Sequence, residues 1–237
     1  MSQDYNSYTY NDPNPIKRHL HRQRFDYALK LLNLNKRKNI LDYGCGDGHF
    51  LYLSYKNYPD NYYFGYEPYP GMYQQAEKKL VSTPVKIYSD LNDLKEKKYD
   101  KITCLETAEH LDKKDLDILF NNIILLLKEK GQVIISVPIE TGLPALFKNL
   151  YRFLKNKKYE GLNFINFIKS ILGLIIKRKK IEISPGIEYY FSHIGFNHRK
   201  FENLLKKYFK ITKKKYLPCN FFKGLLNNTV YFLVQKK

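Results

Sequence analysis

A chain of 237 residues that is 43% hydrophobic, with 22 Tyr and 15 Phe, carries enough large apolar surface for a well-buried domain and is excluded from the disordered class. Its three cysteines, Cys45, Cys104 and Cys219, form no CxxC pair, so neither a disulfide framework nor a zinc site is indicated, no residue is assigned to a metal, and a reducing cytoplasm is expected. The net charge of +18 would draw anionic partners, but 34 of the 41 basic residues are Lys in a chain also rich in Asn, Ile and Tyr, a composition that AT-rich codons produce without selection for binding.

The amino terminus has no apolar segment behind a basic start, and no run of about twenty apolar residues follows, so the chain is expected to be neither exported nor integral to a membrane. A helix is predicted over residues 14–32. From residue 39 onward short β-rich runs alternate with helical patterns, which is the signature of a mostly parallel sheet covered by helices. The strands fall at 39–42 (NILD), 62–66 (YYFGY), 85–88 (VKIY), 101–105 (KITCL) and 133–137 (VIISV). Between them 72–80 and 116–127 carry apolar residues at helical spacing, with Lys128, Lys130 and Gly131 read as the stop of the second helix. Residues 138–195 break the rhythm and read as a helical insertion. An amphipathic helix at 200–208 and strands at 209–212 and 229–234 close the chain, and the loop around Pro218 and Asn227–Asn228 is too short for a crossover helix, so the last two strands should be antiparallel. The expected fold is α/β and doubly wound: one domain over 1–237 with seven strands, an amino-terminal helical extension at 1–35 and an insertion or lid at 138–195.

The run NILDYGCGDGHF places Gly44, Gly46 and Gly48 after the first strand and at the mouth of a helix, where the chain must turn tightly and let a ligand lie against bare backbone. A dinucleotide fingerprint would need glycine where His49 stands, so that class is not specified. A tight turn without a ligand is the competing account. Glu67 ends the second strand about twenty residues further on, where a carboxylate can accept both hydroxyls of a ribose. Asp90, after the third strand, is placed to accept from an adenine amino group while Leu91 donates a backbone N–H; helix capping is the simpler role for such an Asp.

These segments, LDYGCGDG, GYEPYPGMYQQA, SDL, YDKITCLETAEHL and KEKGQVIISVP, resemble in order the motifs of the class I S-adenosylmethionine-dependent methyltransferases over about 39–137. The resemblance implies a Rossmann-like fold and S-adenosyl-L-methionine as cofactor. It implies that Asp42 orients the methionine end, that Tyr43, Gly44, Cys45 and Gly46 line the cofactor, and that Glu67 and Pro68 hold the ribose. Asp90 and Leu91 then serve the adenine, and Glu106 and Thr107 the methionine side. Tyr43 departs mildly from the family, where a smaller residue is usual.

Methyl transfer from a sulfonium needs an aligned acceptor and, for a hydroxyl acceptor, removal of a proton. No NPPY-type motif is present, which favours oxygen over a planar nitrogen. Glu109 and His110 follow the fourth strand and are the candidate bases, with His193 of YYFSHIGF a further one. An EHL ending is frequent in the resembled group whatever the acceptor, so bracing the loop competes with catalysis for His110, and a backbone-satisfied imidazole competes for His193. In the insertion, the apolar run over 162–176 is too interrupted to span a bilayer; it reads as an acceptor lid, as an interfacial helix with Lys177 to Lys180 at the headgroups, or as ordinary core. Arg18, His19, His21, Arg22 and Arg24 form a basic helix that either grips a phosphorylated acceptor or is simply solvated. The NPIKRHLHRQRF helix and the insertion ending SHIGFNHRKFENLL are loosely similar to methyltransferases of bacterial surface-polysaccharide biosynthesis. The expectation is therefore O-methylation of a carbohydrate, lipid-linked or small-molecule acceptor in the cytoplasm, with peripheral contact at the inner membrane face. The alternatives are an RNA methyltransferase, disfavoured by the Lys-dominated charge, and a non-catalytic cofactor-binding subunit.

Overall fold

The computed structural model describes residues 13–35, 37–154 and 159–237; the first twelve residues of the expected amino-terminal extension lie outside it. The chain forms two compact units, one of the residues up to Leu105 with Asn122–Ile134 and Lys236, the other of Glu106–Asn121, Ile135–Gln235 and Lys237.

In the first unit α1 (Pro15–Leu32) starts on a proline, whose fixed φ suits a first helical turn. There follow β1 (Asn39–Tyr43), α2 (His49–Asn57), β2 (Tyr62–Tyr66), α3 (Pro70–Leu80), β3 (Lys86–Tyr88) and β4 (Tyr99–Leu105). β1 pairs in parallel with β2 and with β4, and β2 with β3, so that Asp42 stands opposite both Gly65 and Thr103. Strands covered on both faces are apolar throughout, as Ile40, Leu41, Tyr63, Phe64 and Ile102 are here, all buried. Gly65 is required by packing: a Cβ there would lie 2.7 Å from Leu51 Cδ1 and 2.8 Å from Cys45 Sγ.

The chain continues through α4 (Lys113–Leu126), β5 (Leu127–Pro138), α5 (Leu143–Leu154), α6 (Phe164–Leu172), β6 (Ile181–Ser184), β7 (Ile187–Tyr189), α7 (His198–Tyr208), β8 (Phe209–Leu217) and β9 (Thr229–Lys236). The main sheet has seven strands in the order β3-β2-β1-β4-β5-β9-β8, mostly parallel with β9 and β8 antiparallel, as expected of a Rossmann-like methyltransferase fold. In the second unit Phe120 packs its ring against Tyr208 at 5.2 Å and Phe209 at 5.8 Å. Asn197 caps α7, its side chain accepting from the Arg199 and Lys200 N–H groups.

Two expectations are corrected. Gly131 does not stop a helix: α4 ends at Leu126 and runs straight into β5, within which a Cβ at Gly131 would come 2.6 Å from Leu127 Cδ1 and 2.9 Å from the Lys128 carbonyl. The insertion is not purely helical, because β6 and β7 form an antiparallel hairpin beyond α6. Among the described residues no helix is long and apolar enough to cross a membrane.

Candidate functional site

In the first unit the chain leaves β1 through three left-handed glycines, Gly44, Gly46 and Gly48, with φ of 77°, 56° and 74°. The Gly44 and Cys45 N–H groups both donate to the Tyr66 carbonyl, at 2.8 and 3.0 Å, which ties the turn to the end of β2. A side chain at Gly46 would meet nothing within 4 Å, so conformation rather than crowding demands glycine there and its outer face is open. Gly48 is different, since its Cβ would strike Leu80 Cδ1 at 2.8 Å.

Glu67 is 8% exposed and braces this turn: Oε2 accepts from the Gly46 N–H at 2.8 Å and Oε1 from the Tyr69 N–H at 3.0 Å. Burial raises its pKa and these two bonds oppose the rise. Each oxygen keeps a further lone pair, since a carboxylate offers about four acceptor positions. Asp42 is buried, with Oδ1 accepting from Thr103 Oγ at 2.6 Å. Burial pushes its carboxyl up to about 7, against the Thr103 hydrogen bond and with help from the nearby Glu67 charge. The buried Cys45 thiol is also pushed up, chiefly by burial, and Tyr43 packs edge-on against Tyr66. Pro68 lies between Glu67 and the α3 entry. Asp90 is exposed and caps the short 3₁₀ turn Leu91–Leu94, accepting from Asn92 N–H at 2.8 Å, so the capping role is the one its geometry displays. A separate cavity of about 710 Å³, lined by Asn39, Tyr62, Lys86 and Lys97 among others, opens at the opposite, amino-terminal ends of these strands.

In the second unit Glu106 holds a φ of +50°, uncommon for a side chain of its size. Its N–H donates to the Ser136 carbonyl at 3.1 Å and its Oε1 accepts from Ser136 Oγ at 3.1 Å. Thr107 precedes a 3₁₀ turn, Ala108–His110, which buries Glu109 completely. His110 Nδ1 lies 2.7 Å from the Tyr190 carbonyl, the Tyr190 N–H donates back to the His110 carbonyl at 2.8 Å, and the His110 ring stacks on Tyr189 at 4.3 Å. His193 Nε2 approaches His110 Nε2 to 3.3 Å, and Glu109 Oε1 is 3.8 Å from both. The three sequence-predicted catalytic residues therefore converge. Burial lowers both imidazoles below the usual histidine range, His110 to about 4 and His193 to about 3, so both are neutral at physiological pH.

Sequence reasoning missed several participants. Thr103 and Tyr190 act as partners that only the fold supplies. Glu140, 2% exposed, bonds Lys148 at 2.8 Å and Arg152 at 3.2 Å; burial would raise its pKa, but those charges and His193 bring it down to about 2. An acid two residues past the fifth strand was the available signal.

The sheet order and the glycine–acid turn define a class I S-adenosylmethionine-dependent methyltransferase. The methyltransferase-domain family matches residues 16–169, and the chain belongs to that family. No curated protein sequence matches it. Its fold is similar to that of the PH0226 protein from Pyrococcus horikoshii OT3 (17% identity, 98% of this chain and 96% of that one, TM-score 0.66). It is also similar to the N-methyltransferase NodS from Bradyrhizobium japonicum WM9 in complex with S-adenosyl-L-homocysteine (12%, 95% and 89%, 0.58). A third is the magnesium protoporphyrin IX methyltransferase from Synechocystis PCC 6803 with the same product bound (17%, 96% and 91%, 0.56). The cofactor is S-adenosylmethionine, and the open face at Gly46 and the spare lone pairs of Glu67 fit its ribose end.

Proposed function

We propose that this methyltransferase O-methylates a lipid-linked carbohydrate or similarly apolar small acceptor, working in the cytoplasm against the inner face of the membrane. The observation that supports this reading is an inverted pair of helices. α5 and α6 bury Ala145, Asn149 and Ser170, while Phe147, Leu154, Phe164, Ile165 and Leu172 stand 57%, 77%, 70%, 65% and 65% exposed. A core helix does the reverse. Withdrawing such side chains into lipid gains roughly 1 kcal/mol each, about half of a full burial. Of the basic residues that follow, Lys177 and Lys179 are exposed and suit anionic headgroups. Arg178 and Lys180 are committed inward: Arg178 donates to the Ser192 carbonyl at 2.7 Å and Lys180 pairs with Asp112 at 2.7 Å.

In this reading Asp42, Tyr43, Gly44, Cys45, Gly46, Glu67, Pro68, Asp90 and Leu91 hold the cofactor, together with Glu106 and Thr107. Bound there, the cofactor supplies an electrophilic methyl group with its own leaving group. The Tyr190 carbonyl can only accept, so His110 Nδ1 carries the ring proton and Nε2 offers a lone pair for the acceptor hydroxyl's proton. Glu109 and His193 orient it and stabilise the imidazolium. The test is the triple variant Phe164→Ser, Ile168→Ser, Ile171→Ser. Turnover on lipid extracts and binding to anionic vesicles should fall at least tenfold while cofactor affinity and melting temperature hold. Loss of melting temperature and cofactor affinity together would mean that these residues serve the core. Salt-sensitive activity on total RNA, untouched by the variant, would transfer the function to nucleic acid.

A further inference from the structure

Glu109, His110 and His193 raise a question that base catalysis leaves open, namely why two imidazole nitrogens should face each other beside a buried carboxylate. The Tyr190 carbonyl fixes the proton of His110 on Nδ1, so its Nε2 is bare and points at His193 Nε2, 3.3 Å away. The three facing atoms form a triangle with sides of 3.3, 3.8 and 3.8 Å. The circumradius of that triangle is about 2.1 Å, so a single point lies at ordinary metal–nitrogen and metal–oxygen distance from all three donors. The supports around the donors have the form that ligating histidines require: the second nitrogen of His110 is held by a backbone carbonyl, its ring lies flat on Tyr189, and its own carbonyl is bound by Tyr190.

From this geometry we propose that Glu109, His110 and His193 form a binding site for one divalent transition-metal ion. Two neutral imidazoles and one carboxylate select zinc, cobalt, iron or manganese over magnesium or calcium, which prefer sets made only of oxygen. Three ligands leave coordination positions open. The charge balance limits affinity rather than forbidding it. The Glu109 charge acts electrostatically on Arg178, whose guanidinium is held over the Tyr190 ring at 4.2 Å, while the Glu140 charge near His193 is matched by Lys148 and Arg152. This proposal goes beyond the acceptor reading and does not depend on it, although a metal would take the same His110 lone pair that a proton would.

The experiment uses the full chain, stripped with chelator and titrated with Zn²⁺ by calorimetry and with Co²⁺ by visible absorption. One equivalent should bind, with cobalt d–d bands of a nitrogen–oxygen site and no thiolate charge-transfer band. His193→Ala and the near-isosteric Glu109→Gln should each weaken binding at least tenfold, with thermal melts and S-adenosylhomocysteine affinity showing that the variants are folded. No saturable binding by the wild-type chain, or binding that both folded variants keep, would overturn the site; the latter would place the ion elsewhere on the chain.

Discussion

Replacing Glu67 by Gln separates the two tasks that the resemblance and the geometry give this carboxylate. Its oxygens accept one backbone N–H each, from Gly46 at 2.8 Å and from Tyr69 at 3.0 Å, and the side chain is almost fully buried. Glutamine fills the same volume but has one acceptor oxygen, so whichever way the amide turns, an NH₂ group faces one of the two N–H donors. A charge-assisted hydrogen bond is worth about 1.5–3 kcal/mol, and loss of one from the turn should lower the melting temperature by several degrees. Under the role that the resemblance implies, the ribose hydroxyls lose a carboxylate acceptor as well, and at about 1.4 kcal/mol per decade S-adenosylhomocysteine affinity should fall roughly 10- to 100-fold. Calorimetric titration well below the melting point of either protein keeps the folded fraction out of the comparison. Should Glu67→Gln lower the melting temperature and yet bind the product within twofold of wild type, Glu67 would be only a brace for the glycine turn.

Two further outcomes follow from the same turn. The Asp42 carboxyl is raised from 3.8 to about 7, so the folded state holds its proton more tightly than the unfolded chain does; the resulting stabilisation is complete below pH 3.8 and is lost as the pH rises through about 7, a change on the order of 4 kcal/mol at most. Urea unfolding of the cofactor-free protein at pH 5, 6.5 and 8 should show this decline, and Asp42→Asn should flatten it; equal slopes would remove Asp42 from the account. Gly46→Ala adds a methyl to a backbone at φ +56° with nothing within 4 Å of it, so stability should fall by only about 1–2 kcal/mol while product affinity drops further than folding does, and unchanged affinity would show that no ligand lies against this face.

What the sequence made legible was local. The strand runs at Asn39, Tyr62 and Lys101 and the glycine turn announce themselves because a parallel strand buried on both faces is apolar throughout and a left-handed turn needs glycine. Gly131 was misread because a glycine after a helix and a glycine pressed against Leu127 inside a strand look the same in one dimension. The β6–β7 hairpin carried a signal, Pro185–Gly186 between two short alternating runs, but the surrounding charge hid it. The approach of His193 to His110 joins positions 83 residues apart, and no local pattern encodes that distance. Nor could the run from Lys177 to Lys180 reveal that only alternate members stay exposed, because their partners Asp112, Glu188 and Tyr190 are supplied by the fold.

The inverted helices show how a sequence can look like core and not be core. An apolar helix pair would normally turn its Phe and Leu faces inward, because that is where the larger burial free energy lies. In α5 and α6 the inner seam is polar instead: Asn149 Nδ2 donates to Ser170 Oγ at 3.0 Å, Asn149 Oδ1 accepts from Arg152 at 2.6 Å, and Arg152 continues to the buried Glu140. Turning the helices over would leave these groups in an apolar environment without their partners, at about 1–3 kcal/mol for each neutral group and more for the carboxylate. Directional bonds thus hold the pair in one orientation with its apolar side chains facing outward. The same seam explains why serine at Phe164 and Ile168 should spare the fold while alanine at Asn149 should not, even though the sequence alone ranks their importance the other way round.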